Sequence, residues 1–252
     1  MLFRKRTTIL IAFFLFTLCP GFSSADEIAS AGRSIFQKHC AAVVKVKLVI
    51  KLRIFISGNE VKNSELISET TGTILSPSGL TLVSLNTTEP GKLGGKNLDS
   101  EIGDIKIIFH DGKEVPATLV LRDSDLDLAF IMPLKKLTPP VHSIGSLKIT
   151  EPEILDEFFS LGRLGKLGSR EPSISFDRIH AIVKKPRTLY IPSFTRELGS
   201  PVFSNNGDWI GVILVRYNKT GRTTPRAMSV ILPASDIMEV AGQALEIKTT
   251  EQ

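Results

Sequence analysis

Runs of alternating apolar and polar residues recur through this chain at roughly 8–12-residue spacing, each closed by residues that turn a chain. Ser76-Pro77-Ser78-Gly79, Asp111-Gly112 and Asn205-Asn206-Gly207-Asp208 are the clearest of these turns. Proline presets φ and glycine accepts positive φ, so each marks a hairpin between two strands. The longest run, residues 43–56, alternates Val44, Lys45, Val46, Lys47, Leu48 and is rich in β-branched residues, which predicts a strand. Further strands are expected at 70–75 and 80–85, 105–110 and 114–121, 158–162, 174–183, 189–191, 201–203, 210–215 and 228–232. Residues 57–68 and 89–102 are polar and read as exposed loops, and 134–142 as a proline-containing connector. So many short strands describe an all-β barrel or sandwich.

Only the two ends depart from this pattern. Residues 26–38 form a short, weakly helical lead-in. Residues 233–245 predict a helix with Asp236 and Glu239 as a capping pair and one apolar face made by Ile237, Val240, Ala241, Ala244 and Leu245. Before the lead-in, Arg4-Lys5-Arg6 precedes an apolar core at 8–18 and a small-residue site at Ser23-Ser24-Ala25. That is the layout of a signal peptide over residues 1–25, implying a secreted or periplasmic protein with a domain at 26–250. A spanning helix takes about 20 apolar residues, more than this core supplies; an uncleaved anchor is the alternative. Without the leader the net charge falls from +5 to +2, since three basic residues and no acidic ones go with it. No basic stripe points to nucleic acid. Cys40 is then the single cysteine, either an inert thiol or one half of an intermolecular bridge.

Two stretches carry a family resemblance. Residues 196–213, Arg-Glu-Leu-Gly-Ser-Pro-Val-Phe followed by the polar turn and Trp209-Ile210-Gly211-Val212-Ile213, resemble the nucleophile loop of trypsin-like serine proteases, particularly the HtrA (Deg) branch. Asp123-Ser124-Asp125-Leu126-Asp127-Leu128-Ala129-Phe130-Ile131 resembles that family's aspartate segment, and 70–88 its histidine segment. The order and separation of the three match over about residues 34–245. The resemblance implies a trypsin-like double β-barrel closed by a C-terminal helix, without the PDZ domain that HtrA proteins often carry.

It also implies a site, residue by residue. Asp127 falls on the triad aspartate, Thr87 on the general-base histidine (Asn86 or Thr88 if the register slips by one), and Leu198 on the nucleophilic serine. A hydroxyl or amide cannot replace an imidazole that titrates near neutrality, and leucine cannot attack a carbonyl. Asp127 is then expected to cap a turn or to bond main-chain amides at a strand start. Arg196 stands where an oxyanion-loop glycine is expected. The expectation is a catalytically inactive homologue, a pseudoprotease serving as a peptide-binding or structural module; the alternative is an active endopeptidase with a relocated triad using Ser200. For that, His39, His110, His142 and His180 are the candidate bases. No two of them have ligand spacing, so neither metal nor cofactor is implied. The partner expected is an extended peptide or protein segment added along the cleft strand Val212, Ile213, Leu214, Val215 and Arg216, unless loop 218–226 covers that edge. Oligomeric state is left open. Trp209 is expected to be a packing residue.

Overall fold

The computed structural model describes residues 24–56, 59–88, 98–193, 197–217 and 227–250. Six strands, β1 (Val43–Ile56), β2 (Asn59–Ile74), β3 (Thr81–Ser84), β4 (Leu98–Ile108), β5 (Glu114–Asp123) and β6 (Leu128–Pro133), close a first barrel in the order β1-β2-β3-β6-β5-β4. Six more, β7 (Glu157–Arg163), β8 (Pro172–Val183), β9 (Leu189–Pro192), β10 (Pro201–Ser204), β11 (Trp209–Tyr217) and β12 (Ala227–Pro233), close a second in the order β10-β11-β12-β9-β8-β7. Helix α1 (Ser24–His39) leads in, the single turn α2 (Leu85–Thr88) follows β3, and α3 (Ala234–Thr250) ends the fold. This is the double barrel that the resemblance implies.

Period-two alternation sorts the side chains into three apolar layers. Val44, Val46, Leu48 and Ile50 of β1 fill the first barrel with Ile107, Ala129 and Ile131. Phe158, Ile179, Val202, Ile213 and Ile231 fill the second. The opposite faces of the same strands (Leu128 and Phe130, Val212 and Leu214, Val230 and Leu232) meet in a layer between the barrels, joined by Ile35 of α1 and Ile237, Ala241 and Ala244 of α3. Strands buried on both faces lose their polar alternation, which is why 128–132 and 210–215 read as continuous apolar runs. Trp209 is fully buried in the middle layer, its indole N–H donating to the Gly211 carbonyl at 2.9 Å.

Three expectations need correction. Residues 59–68 are not a loop: β2 pairs with β1 from Asn59↔Ile56 to Thr73↔Val43. Its outer half pairs, among the described residues, only with β1 and is rich in polar residues, so it lacks the apolar alternation that would announce a strand; even its Leu66 and Ile67 are exposed. Likewise 98–102 belongs to β4, held against β1 from Leu98↔Ile54 onward; residues 89–97 lie outside the described part. Asp236 sits in the first turn of α3, but its carboxylate holds the Arg187 guanidinium at 3.1 Å rather than forming a capping pair. The leader, apart from its last two residues in α1, also lies outside the described residues.

Candidate functional site

The three matched segments converge at the junction of the barrels. Asp127 occupies the left-handed region (φ 62°) in the turn before β6. Its Oδ1 accepts the Asn86 N–H at 2.8 Å, and its Oδ2 accepts the Ser84 hydroxyl at 2.6 Å and the Val215 N–H at 3.1 Å. Its carbonyl takes the Leu85 N–H at 2.9 Å. One side chain thus ties the start of α2 in the first barrel to β11 in the second, the amide-bonding role expected of it. Burial pushes its carboxyl above the usual range, and the three donors oppose that shift.

Asn86, Thr87 and Thr88 all lie on α2, so every register considered for the histidine position falls on the same turn. The Thr87 hydroxyl donates to the Ser84 carbonyl at 2.6 Å, and that of Thr88 to the Leu85 carbonyl at 2.7 Å. Both bond their own turn, the usual local competition of a threonine side chain with solvent and neighbours.

The loop entering β10 is held from three sides. Gly199 has φ 87°, and a Cβ there would lie 2.1 Å from the Thr71 carbonyl oxygen. Its N–H donates to the Ile213 carbonyl at 2.8 Å, and its carbonyl accepts the Thr73 hydroxyl at 2.7 Å. Leu198, just before it, turns its partly buried side chain against the core of the second barrel. Ser200 is 2% exposed, and its hydroxyl has no hydrogen-bond partner among the described residues. Arg196 lies outside the described residues.

Sequence reasoning missed the polar centre beneath this loop. Lys45 is buried on β1; its ammonium pairs with the Glu197 carboxylate and donates to the Thr71 hydroxyl at 2.9 Å. Thr71 also donates to Glu197, whose other oxygen faces the Arg163 N–H at 3.4 Å. Arg163, itself buried, donates to the carbonyls of Val43 (2.8 Å), Arg170 (2.8 Å) and Cys40 (3.3 Å). Arg170 in turn grips Glu69 through two bonds, at 3.1 and 2.6 Å. The Arg170 bonds hold the Glu69 carboxyl below its ordinary value. These charges bridge the two barrels. An alternating strand gives no sign that Lys45 faces inward, because its partner is 152 residues away.

The histidines do not assemble a base for Ser200. His110 is exposed, as expected for its turn. His39 and His142 pair with each other instead, Nδ1 to Nε2 at 3.4 Å, and the His39 ring stacks on Phe203 at 5.2 Å. Burial first, then the neighbouring His142 and Lys38 charges, holds His39 below its ordinary 6.5. The sign follows: the unfolded chain takes a proton that the folded one refuses, so this contribution to stability is complete above pH 6.5 and is lost as pH falls below it. His39→Phe, which keeps the stack, is expected to melt at a less pH-dependent temperature between pH 7.5 and 5 than the parent; equal slopes would refute it. Cys40, beside it, is a half-buried free thiol.

Residues 212–216 do not form the open edge expected from sequence. On one side β11 pairs with β12 from Gly211↔Pro233 to Tyr217↔Ala227. On the other, Ile213 exchanges bonds with Gly199 and Ser200, and the Val215 N–H is taken by Asp127. A closed barrel leaves few free edges, and here the nucleophile loop and Asp127 use the donors of that flank. Loop 218–226 lies outside the described residues.

No curated protein matches this chain. A trypsin-like peptidase domain does match, over residues 70–212, more than half of the sequence. That span begins in β2, contains α2, Asp127 and the loop at 197–200, and ends in β11; Lys45 and Val215 of the site lie outside it. With both barrels closed, the chain belongs to the trypsin-like peptidase domain family.

Proposed function

We propose that this protein is an exported, HtrA-like member of the family that has lost catalysis and acts as a binding module for extended protein segments. The observation that carries the reading is Leu198. At the nucleophile position stands an apolar side chain packed into the second barrel's core, on a loop whose backbone the fold still holds. Thr87 supports it, since its hydroxyl bonds its own turn. Catalysis of this type needs nucleophile, base and orienting group within reach of one another, and here only the orienting aspartate keeps its identity. Against a relocated triad stands Ser200, whose hydroxyl is buried with no imidazole bonded to it.

The test is activity of the purified protein, whose N-terminal sequence, expected to start at Asp26, checks the export as well. Neither cleavage of casein nor labelling by a fluorophosphonate is expected. Leu198→Ser alone should stay inactive, because no base accompanies it. Activity is expected to require Thr87→His and Arg196→Gly in addition. Fluorophosphonate labelling of the unaltered protein that disappears in Ser200→Ala would overturn the reading.

A further inference from the structure

The first barrel is closed between β4 and β5 by four residue pairs only, from Ile105↔Ala117 to Ile108↔Glu114. Beyond them both strands continue, but with other neighbours. β4 runs on along β1 to Leu98↔Ile54, and β5 along β6 to Asp123↔Leu128. Each strand also breaks register where they part, β4 opposite Leu48/Ile50 and β5 between Leu119 and Leu121. The two strands therefore diverge as a fork. A cavity of about 360 Å³ fills the opening, lined among the described residues by β4 and β5, including Ile102, Gly103, Leu119 and Val120.

Register shows where the main chain points. Pro116 has no N–H, and its carbonyl accepts the Leu134 N–H at 3.0 Å, so it faces β6. By alternation Ala117 faces β4, and the N–H and C=O of Leu119 face the fork. On the other wall Ile105 faces β5. Passing the irregularity opposite Val49, the groups of Ile102 turn away from β1 and into the same opening. Two strand edges thus present main-chain donors and acceptors to one cleft, and among the described residues neither is paired there. The side chains of Ile102 and Leu119 pack partly against the first barrel's core, and both residues line the cleft.

We propose that this fork is a strand-addition site for one extended segment of a partner protein. An extended chain offers N–H and C=O groups on both of its edges at strand spacing, whereas a helix has already satisfied its own. Strand addition is a recurrent mode of peptide recognition, and unpaired edges invite it. The cavity is at the small end of the range for ligand sites, which suits a few residues of backbone rather than a folded surface. The segment that fits has period-two character. One apolar side chain reaches toward Ile102 and Leu119, and its neighbours face solvent. The site is distinct from the cleft at 212–216, and it rests on the reading of the chain as a binding module.

Hydrogen exchange on the full chain, with and without an excess of casein as an unstructured probe, decides this. The amides of Ile102 and Leu119 are expected to exchange fast in the free protein and at least tenfold more slowly with casein. Those of Ile213 and Val215 should not change. Slow exchange at Ile102 and Leu119 in the free protein would mean that the chain closes its own fork, and would overturn the proposal. So would casein protection at 212–216, or no protection anywhere. Leu119→Pro removes a donor that faces the fork and no bond to β6, so casein binding is expected to weaken about tenfold. If that variant melts early, the footprint on the unaltered protein stands alone as the test. Cleavage of casein in the same sample would count against the inactive reading, and it is read separately from the footprint.

Discussion

Gly199→Ala is expected to cost about 4 kcal/mol of folding stability, a loss found only where a substitution meets a specific structural obstacle. Two causes add. At φ 87° an L side chain is strained, a cost of roughly 1–2 kcal/mol for a residue forced into left-handed geometry. The larger cause is steric, because the new Cβ would stand 2.1 Å from the Thr71 carbonyl oxygen. Main chain on both sides must then give way, and with it the bonds from Gly199 to Ile213 and Thr73. Gly112→Ala is the control. Gly112 has φ 82°, but a Cβ there meets nothing within 4 Å. It should show the conformational strain alone, about 1 kcal/mol. Urea unfolding of both variants separates the two causes, and similar losses would show that the close approach of this loop to β2 is wrong.

Glu197→Ala is expected to cost about 3 kcal/mol, and more than Lys45→Met. The Lys45 side chain is only 4% exposed, and without Glu197 its charge keeps, among the described residues, the Thr71 hydroxyl. Removing one member of a buried pair leaves the other charge uncompensated, which is the costly case. The reverse substitution is cheaper. The Glu197 side chain is 38% exposed and still faces the Arg163 N–H, so water and that amide serve its charge. Methionine in place of Lys45 also fills a buried position with apolar volume. Lys45→Met should therefore cost about 1 kcal/mol, and the double variant should resemble it rather than the sum. Unfolding curves of the three proteins check this; equal losses in the two single variants would show that the pair is not buried on the Lys45 side.

Both predictions concern the same short stretch, and they give its backbone a structural role. Thr71, Thr73 and Lys45 come from the first barrel, Glu197 and Gly199 from the second. The loop at 197–200 fastens the two barrels together, and its Leu198 packs against the core of the second. Such a loop is under a packing constraint whether or not it catalyses anything.

What the sequence by itself determined was local. Turn residues and period-two runs placed β1, the hairpins at Gly79, Gly112 and Gly207, and the helix at the end, because those signals depend on neighbours a few positions apart. Asp127 and the loop at 198–201 were legible as motifs. Tertiary structure decided the rest. The outer part of β2 and the start of β4 are strands only because β1 supplies their partner, and their polar residues gave no alternation to read. The pairing of His39 with His142 spans 103 residues and that of Lys45 with Glu197 spans 152. Whether a lysine in an alternating strand faces water or a carboxylate is settled by which barrel packs against it, and burial of a charge at such a distance leaves no mark in its own neighbourhood of sequence.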